Sequence, residues 1–311
     1  MEDTATCSEF AASMGGSQVY LEPGETMTIR DLFKAVAVAS GNDAAVVLAE
    51  KVAGSHEDFV KLMNKRAKEL GMGDTHFVNC NGLDAEGHVT SAYDIALMSR
   101  ELCRHSEIFE FTSIWMDSLR DGAFGLVNTN KLIRFYEGAI GLKTGSTGVA
   151  KYCLSAVAKR EGMTLIAVVM AGETSKERFN DASAMLDFGF ASYCLADNLL
   201  SEKELPFLPV KKGIAPDVAV KPESAAQVLV KKSRKGEIET VIDLPESVAA
   251  PIASGDVLGK AEFFLDGKSL GSCQLVAAEQ VDRTGPVYMF TALIKQWLFG
   301  DSGRAIQEEI A

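Results

Sequence analysis

Two apolar runs separated by four residues constrain this chain more than any other feature. Tyr152 to Ala158 and Thr164 to Met170 are joined by Lys159-Arg160-Glu161-Gly162. That connection is too short for a crossover between parallel strands, so the pair predicts a buried antiparallel hairpin. Just before it runs Gly141-Leu142-Lys143-Thr144-Gly145-Ser146-Thr147-Gly148, a small-residue segment with one cation. It offers a positive charge, hydroxyls and close backbone approach at one end of a strand.

Helical grammar precedes the hairpin. Thr28-Ile29-Arg30-Asp31 matches a capping box, and Ile29, Leu32, Phe33 and Val36 recur at helical spacing up to Ser40. Gly41 stops that helix, and Asn42 and Asp43 are expected to cap a second one through Ala44, Val47 and Leu48 to about Val52. Ser40-Gly41-Asn42 thus falls on a corner between two apolar helices. Ser55-His56-Glu57-Asp58 opens a helix with Phe59, Leu62, Met63, Ala67 and Leu70 inward, and Ser91-Ala92-Tyr93-Asp94 opens another with Ile95, Met98 and Leu102 on one face. A short helical piece is expected near Ile108. Residues 1–27 read as loops with a strand near Gln18 to Leu21, and residues 72–89 as irregular. After the hairpin, Arg178 to Phe190 predicts a helix with Phe179, Ala182, Met185, Leu186 and Gly189 inward. The fold class is therefore α/β in the mixed α+β sense, an antiparallel sheet covered by helices, not alternating βαβ units.

From about Leu205 the texture changes to short strands broken by prolines. Val228 to Val230, Ile238 to Ile242, Ala261 to Leu265 and Ser269 to Val276 are strand-like, with Asp266-Gly267 as a turn. The expected division is 1–204, 205–286 (a small all-β domain) and 287–311 (an amphipathic tail). Val287 to Phe299 is too short to span a bilayer as a helix. Two readings stay open for it: an interfacial helix touching membrane through residues 287–299, with Trp297 near the headgroups, or a terminal helix docked on the protein.

Composition excludes several classes. A formal charge of −12 lacks the footprint of a nucleic-acid binder. The one basic cluster, Lys231-Lys232-Ser233-Arg234-Lys235, reads as a solvated hairpin tip. Six cysteines lie far apart with no Cys-x-x-Cys pair, so free thiols are expected. Met1-Glu2-Asp3-Thr4 opens with acids where an export signal carries a basic and then an apolar region, so no signal peptide is read in these residues. A metal hydrolase using Asp74, His76, Asp84 and His88 is a minor rival, because no His-x-x-x-His pair on a helix supports it. A Gly-x-Ser-x-Gly esterase is disfavoured, and no cofactor is expected.

Ser40-Gly41-Asn42 on a loop between helices, about a hundred residues before Lys143-Thr144-Gly145 at a strand, reproduces the order of two signatures of penicillin-recognising acyl-transfer sites. Here the sequence resembles the serine D-alanyl-D-alanine carboxypeptidases, the low-molecular-weight penicillin-binding proteins. Further runs share that wording: Ala12-Ser13-Met14-Gly15-Gly16-Ser17, Leu21-Glu22-Pro23-Gly24-Glu25, Ala39-Ser40-Gly41-Asn42-Asp43-Ala44-Ala45, Asn81-Gly82-Leu83-Asp84 and Lys143-Thr144-Gly145-Ser146-Thr147. The resemblance implies a β-lactamase-like transpeptidase domain, a second β domain and a membrane-associating tail, outside the cytoplasm. It implies peptidoglycan stem peptides as substrates and β-lactams as ligands.

By that resemblance Ser40, Asn42 and Lys143 are catalytic. Lys143 supplies charge and helps proton transfer, Ser40 relays a proton to the leaving amine, and Asn42 positions the acyl side. Thr144 and Arg178 meet the terminal carboxylate, Gly145 admits the peptide backbone, and Ser146 N–H is an oxyanion donor. The family's third signature, Ser-x-x-Lys with its nucleophilic serine, occurs nowhere in these 311 residues. The chain is therefore expected to be unable to form an acyl-enzyme, either as a fragment truncated before that motif, which the intact remaining motifs favour, or as a degenerate copy that lost its front. A lost helix burying roughly five to eight apolar side chains, at about 1.5–3 kcal/mol each, rivals a domain's whole net stability. The first domain is accordingly expected to be poorly folded. The alternative is a non-catalytic protein that binds peptidoglycan peptides or penicillin.

Overall fold

A computed structural model describes residues 1–197, 199–200 and 205–299. The chain divides into two compact units, Met1–Ala191 and Ser192–Ala311.

The first unit opens with strand β1 (Thr4–Thr6), a short helix α1 (Glu9–Ala12) and β2 (Thr26–Thr28), which pairs antiparallel with β1. Helices α2 (Ile29–Ala39), α3 (Asn42–Ala53), α4 (His56–Glu69) and α5 (Ala92–Leu102) follow. Their starts obey the capping chemistry. Thr28, Ser55 and Ser91 each accept the backbone N–H three residues on, satisfying one orphan donor of the first turn. Next come α6 (Phe109–Thr112), the hairpin of β3 (Met116–Leu119) and β4 (Phe124–Val127), and α7 (Leu132–Phe135). A three-stranded antiparallel sheet closes the unit: β5 (Ala139–Thr147), β6 (Lys151–Arg160) and β7 (Met163–Gly172), in that order, with α8 (Ser175–Ser192) after it. The predicted hairpin is β6–β7, and the lysine-bearing segment is its third strand.

One core fixes the α2–α3 corner. Leu32, Ala35 and Val38 of α2 pack with Ala44, Val46 and Val47 of α3 and with Leu119 and Leu126 of the β3–β4 hairpin. The N-terminal segment joins this core through Ala5, Cys7, Ala11, Val19 and Leu21.

Several expectations need correction. Residues 1–27 hold two strands and a helical turn, whereas Gln18 to Leu21 forms no strand. Its backbone is satisfied by side chains instead. Val19 N–H and Leu21 N–H donate to the Asp43 carboxylate at 3.0–3.2 Å, and Val19 and Tyr20 carbonyls accept from Arg120 at 3.0 and 3.1 Å. Asn42 is the first residue of α3 but does not cap it; the cap position is Gly41, without a side-chain bond. Leu62 on α4 and Met185 on α8 face solvent. On α5 the buried positions are Asp94 and Ser99, not Met98 or Leu102. That polar face is affordable because each group is bonded: Asp94 accepts from Asp74 N–H and the Thr75 hydroxyl, and Ser99 meets Ser155 at 2.7 Å.

The second unit is built of short strands: β8 (Tyr193–Ala196), β9 (Leu208–Lys211), β10 (Asp217–Val218), β11 (Val220–Pro222), β12 (Val228–Lys231), β13 (Glu239–Asp243), β14 (Val248–Ala249), β15 (Val257–Leu265) and β16 (Lys268–Ala277). The main sheet has the order β11-β16-β15-β13, and Val220, Ala261, Phe263, Leu275 and Ala277 point into its core. Asp266-Gly267 turns β15 into β16, both with positive φ. The basic cluster is not a hairpin tip. It forms a 3-10 turn, Lys232–Glu237, between β12 and β13, which pair with β8 and β15. Arg234 there is tied to Glu237 and Asp266. The last described element is α9 (Pro286–Phe299), and no helix among the described residues is long and apolar enough to cross a membrane. Residues 300–311 of the expected tail, and the Trp297 side chain, lie outside the described residues.

Candidate active site

The site is assembled where the α2–α3 corner meets β5. Ser40 ends α2 in the left-handed region, at φ 62° and ψ 35°. A non-glycine residue there costs about 1 kcal/mol or more, and such strain is typical of functional positions. Its hydroxyl accepts a hydrogen bond from Lys143 Nζ at 2.7 Å, and the same ammonium donates to the Thr144 carbonyl at 2.8 Å. Residues 103 apart in sequence are thereby brought into contact.

Asn42 lies two residues on, almost fully buried, and donates from Nδ2 to Gly15 O at 2.7 Å. Gly16 beside it has φ +78°, and a Cβ there would sit 2.7 Å from Asn42 Nδ2, so this position needs glycine on both counts. Asp43, 1% exposed, clamps the 19–21 segment against α3.

Along β5, Lys143 stands opposite Ser155 of β6, Thr144 opposite Leu154, Gly145 opposite Cys153 and Ser146 opposite Tyr152. Thr144 is buried, and its hydroxyl meets that of Thr129 at 2.6 Å. Gly145 and Ser146 are exposed. A Cβ at Gly145 would touch nothing nearer than Cys153 Cβ at 4.0 Å, so no packing neighbour demands glycine there. Among the described residues β5 is an edge strand: β6 covers one side and no strand covers the other.

Arg178, in the first turn of α8, is 7% exposed. Its guanidinium donates to Gly145 O at 2.8 Å and Cys153 O at 3.2 Å, and lies over the rings of Phe179 (4.8 Å) and Tyr152 (5.4 Å). Its Nε has no partner among the described residues. The helix-start arginine is thus buried against β5 and β6.

Lys143 and Arg178 have no carboxylate partner among the described residues. Burial, and then the charge of Arg178, pull the Lys143 ammonium down to about 8 from the ordinary lysine value of 10.5. Burial also lowers Arg178. A lysine near 8 is a competent proton carrier at neutral pH, because both of its forms are accessible.

The other candidates do not converge. His88 Nδ1 accepts Val78 N–H at 3.1 Å, and burial lowers its pKa; His76 lies in a two-residue bridge with Val89. Asp84 accepts Val149 N–H. No cluster of three or more metal-binding side chains occurs among the described residues. A Gly-x-Ser-x-Gly run does exist, Gly267-Lys268-Ser269-Leu270-Gly271, but it leaves the β15–β16 turn at Gly267 and lies otherwise within β16. A nucleophile elbow requires a strand-to-helix turn, so this run lacks its setting. Thr129 is the supporting residue that motif reading does not reveal, its partner lying 15 residues away in sequence, and Asp43, read as a helix cap, also holds Val19, 24 residues before it.

Comparison with known proteins bears on this arrangement. Residues 1–174 match the family described as D-alanyl-D-alanine carboxypeptidase, and residues 201–283 match the C-terminal domain of penicillin-binding protein 5. The D-alanyl-D-alanine carboxypeptidase DacF of Bacillus subtilis (strain 168) is 42% identical over 301 residues, 96% of this chain and 77% of that protein. Among solved structures, penicillin binding protein 5 from Haemophilus influenzae aligns with a TM-score of 0.69 at 30% identity, over 90% of this chain and 83% of that one. Penicillin-binding protein D2 from Listeria monocytogenes, in its ampicillin-bound form, aligns with a TM-score of 0.54 at 34% identity, over 61% and 77%.

The pair of cations makes a titration prediction. In 13C-dimethylated protein one lysine resonance should titrate near pH 8, disappear in Lys143→Met, and move upward in Arg178→Met. Between pH 8 and 10.5 the unfolded chain binds a proton that the folded chain has released, so this group's contribution to stability rises with pH across that window. A spectrum in which every lysine titrates above pH 10 would contradict the site's electrostatics.

Proposed function

The chain belongs to the D-alanyl-D-alanine carboxypeptidase family, and on that footing we propose that its α2–α3/β5 cleft receives the D-Ala-D-Ala end of peptidoglycan stem peptides. The family's activity is removal of the terminal D-Ala by serine acyl transfer, on a substrate outside the cytoplasm. The hydrogen bond from Lys143 to Ser40, flanked by a buried arginine that has no carboxylate partner among the described residues, is the observation that carries the assignment of roles.

Position supports each role in this reading. The peptide's terminal carboxylate supplies the negative charge that Lys143 and Arg178 lack, and the Thr144 hydroxyl donates to it. The free edge of β5 pairs with the peptide as an antiparallel strand, and the open face of Gly145 lets the two backbones approach. Ser146 N–H serves as an oxyanion donor. Lys143, with its lowered pKa, exchanges a proton with Ser40, which passes it to the leaving amine. Asn42 lines the acyl side next to Gly15.

The nucleophile is the remaining requirement. Residues 1–311 contain no Ser-x-x-Lys. By themselves these residues supply the substrate-facing walls and the proton relay, but no serine for acylation. The predicted behaviour is binding without turnover. An Nα-acyl-D-Ala-D-Ala peptide should bind and release no D-Ala, Arg178→Gln should weaken binding by about tenfold, the size of one charge-assisted hydrogen bond, and intact mass should show no adduct after incubation with a penicillin. A stoichiometric penicilloyl adduct would refute the division between walls and nucleophile.

A membrane contact through α9 belongs to the same proposal. Tyr288, Met289, Phe290, Leu293 and Ile294 are exposed on this helix, an apolar array suited to the headgroup boundary. The chain should float with anionic lipid vesicles, and Phe290→Ser with Leu293→Ser should abolish flotation. Unchanged flotation in that double variant would remove α9 as the contact.

A further inference from the structure

The Ser40-Gly41-Asn42 corner has two supports, and only one of them belongs to the helices. Ser40 N–H and Gly41 N–H donate back to Val36 O and Ala35 O, so the serine is set by the end of α2 itself. Asn42 is set from outside. Its backbone N–H donates to Ser17 O at 2.8 Å and its side chain to Gly15 O at 2.7 Å, so residues 15–17 fix both its main chain and its amide.

The segment continues as an irregular strap held by two charged side chains of opposite sign. Asp43 accepts the N–H groups of Val19 and Leu21, and Arg120 donates to the carbonyls of Val19 and Tyr20 at 3.0 and 3.1 Å. Tyr20 between them has φ 56°, a conformation that a non-glycine residue keeps only where its surroundings impose it. Arg120 is anchored in turn. It follows β3 at the hairpin turn with φ 52°, its Nε and Nη2 donate to the two Glu25 carboxylate oxygens at 2.8 and 3.0 Å, and its guanidinium lies 5.6 Å from the Phe124 ring centroid. A hairpin-tip arginine is ordinarily solvated, whereas this one turns back to make four hydrogen bonds with residues 19–25.

We propose that Arg120 is a positioning residue for the cleft: by holding residues 19–25 it sets Gly15 and Ser17, and through them the Asn42 amide on the acyl side of the peptide. This inference rests on the proposed role of Asn42, and it gives that residue a control that the Lys143–Ser40 pair does not share. Lys143 Nζ donates to Ser40 Oγ and the Thr144 carbonyl, and neither residue is hydrogen-bonded to residues 15–25 among the described residues. Loosening Arg120 therefore moves the amide and leaves the lysine in place. The demand is geometric: a lysine at position 120 carries the same charge but cannot reach two carbonyls and two carboxylate oxygens at once.

The test is a double-mutant cycle read by the affinity for an Nα-acyl-D-Ala-D-Ala peptide. Arg120→Met should weaken binding about fivefold, the effect of one neutral hydrogen bond, and Arg120→Lys should do the same. In the Asn42→Ala background Arg120→Met should cause no further loss. The dimethylated Lys143 resonance should still titrate near pH 8 in Arg120→Met, a result that also shows the unit to be folded. Unchanged affinity in Arg120→Met, an equal loss with and without Asn42, or a Lys143 titration that moves in the folded variant would each overturn the positioning role. If Arg120→Met unfolds the unit, Glu25→Gln, which removes the charge that anchors the guanidinium, enters the cycle under the same criteria. If the unmodified chain binds no peptide, the proposed function fails and positioning is read from the Asn42 side-chain amide in 15N spectra: a shifted resonance in Arg120→Met supports it, and an unshifted one overturns it.

Discussion

Two partly or fully buried cations, Lys143 and Arg178, flank β5 with no carboxylate partner among the described residues, and the α2–α3 corner and the β5–β6–β7 sheet hold them there. Burying a charge without a partner is costly, and the proposed function sets a ligand's carboxylate against that cost. Lys143 lowers the cost by losing its proton easily and by donating to the Ser40 hydroxyl and the Thr144 carbonyl. Arg178 lowers it with two carbonyls and two aromatic faces, its Nε without a partner among the described residues. The scaffold follows from this demand. The α2–α3 core sets the corner that carries Ser40, and the β5–β6–β7 sheet sets the strand that carries Lys143.

Much of this was legible from short-range chemistry. Thr28, Ser55 and Ser91 announce helix starts because each cap acts within three residues, and the β6–β7 hairpin announces itself because its connection is four residues long. Ser40-Gly41-Asn42 and Lys143-Thr144-Gly145 are readable for the same reason. What escaped depends on partners distant in sequence. Gln18 to Leu21 looks like a strand from its residues, yet its backbone is claimed by Asp43 and Arg120. The α5 face was misjudged because hydrophobic periodicity cannot see that Asp94 and Ser99 find partners inside. Thr129 was invisible until β5 brought Thr144 to it.

The same contrast separates the site's reliable parts from its contingent ones. Lys143, Ser40, Thr144 and Arg178 are each held by hydrogen bonds to neighbouring hydroxyls or carbonyls. Gly145 is not: nothing nearby forbids a side chain there, so its openness serves whatever lies in front of β5. A strand edge that no strand covers among the described residues, an open glycine and a pair of cations are what the proposed peptide, extended and ending in a carboxylate, meets.

The most direct measurement compares the affinity of the chain for Nα-acyl-D-Ala-D-Ala with that for the same peptide bearing a C-terminal carboxamide. The two differ by one charge and by nothing in the backbone that would pair with β5. If Lys143 and Arg178 await the terminal carboxylate, the amide should bind at least about tenfold more weakly, and Arg178→Gln should remove most of that difference. Equal affinity for acid and amide would contradict the account at its centre.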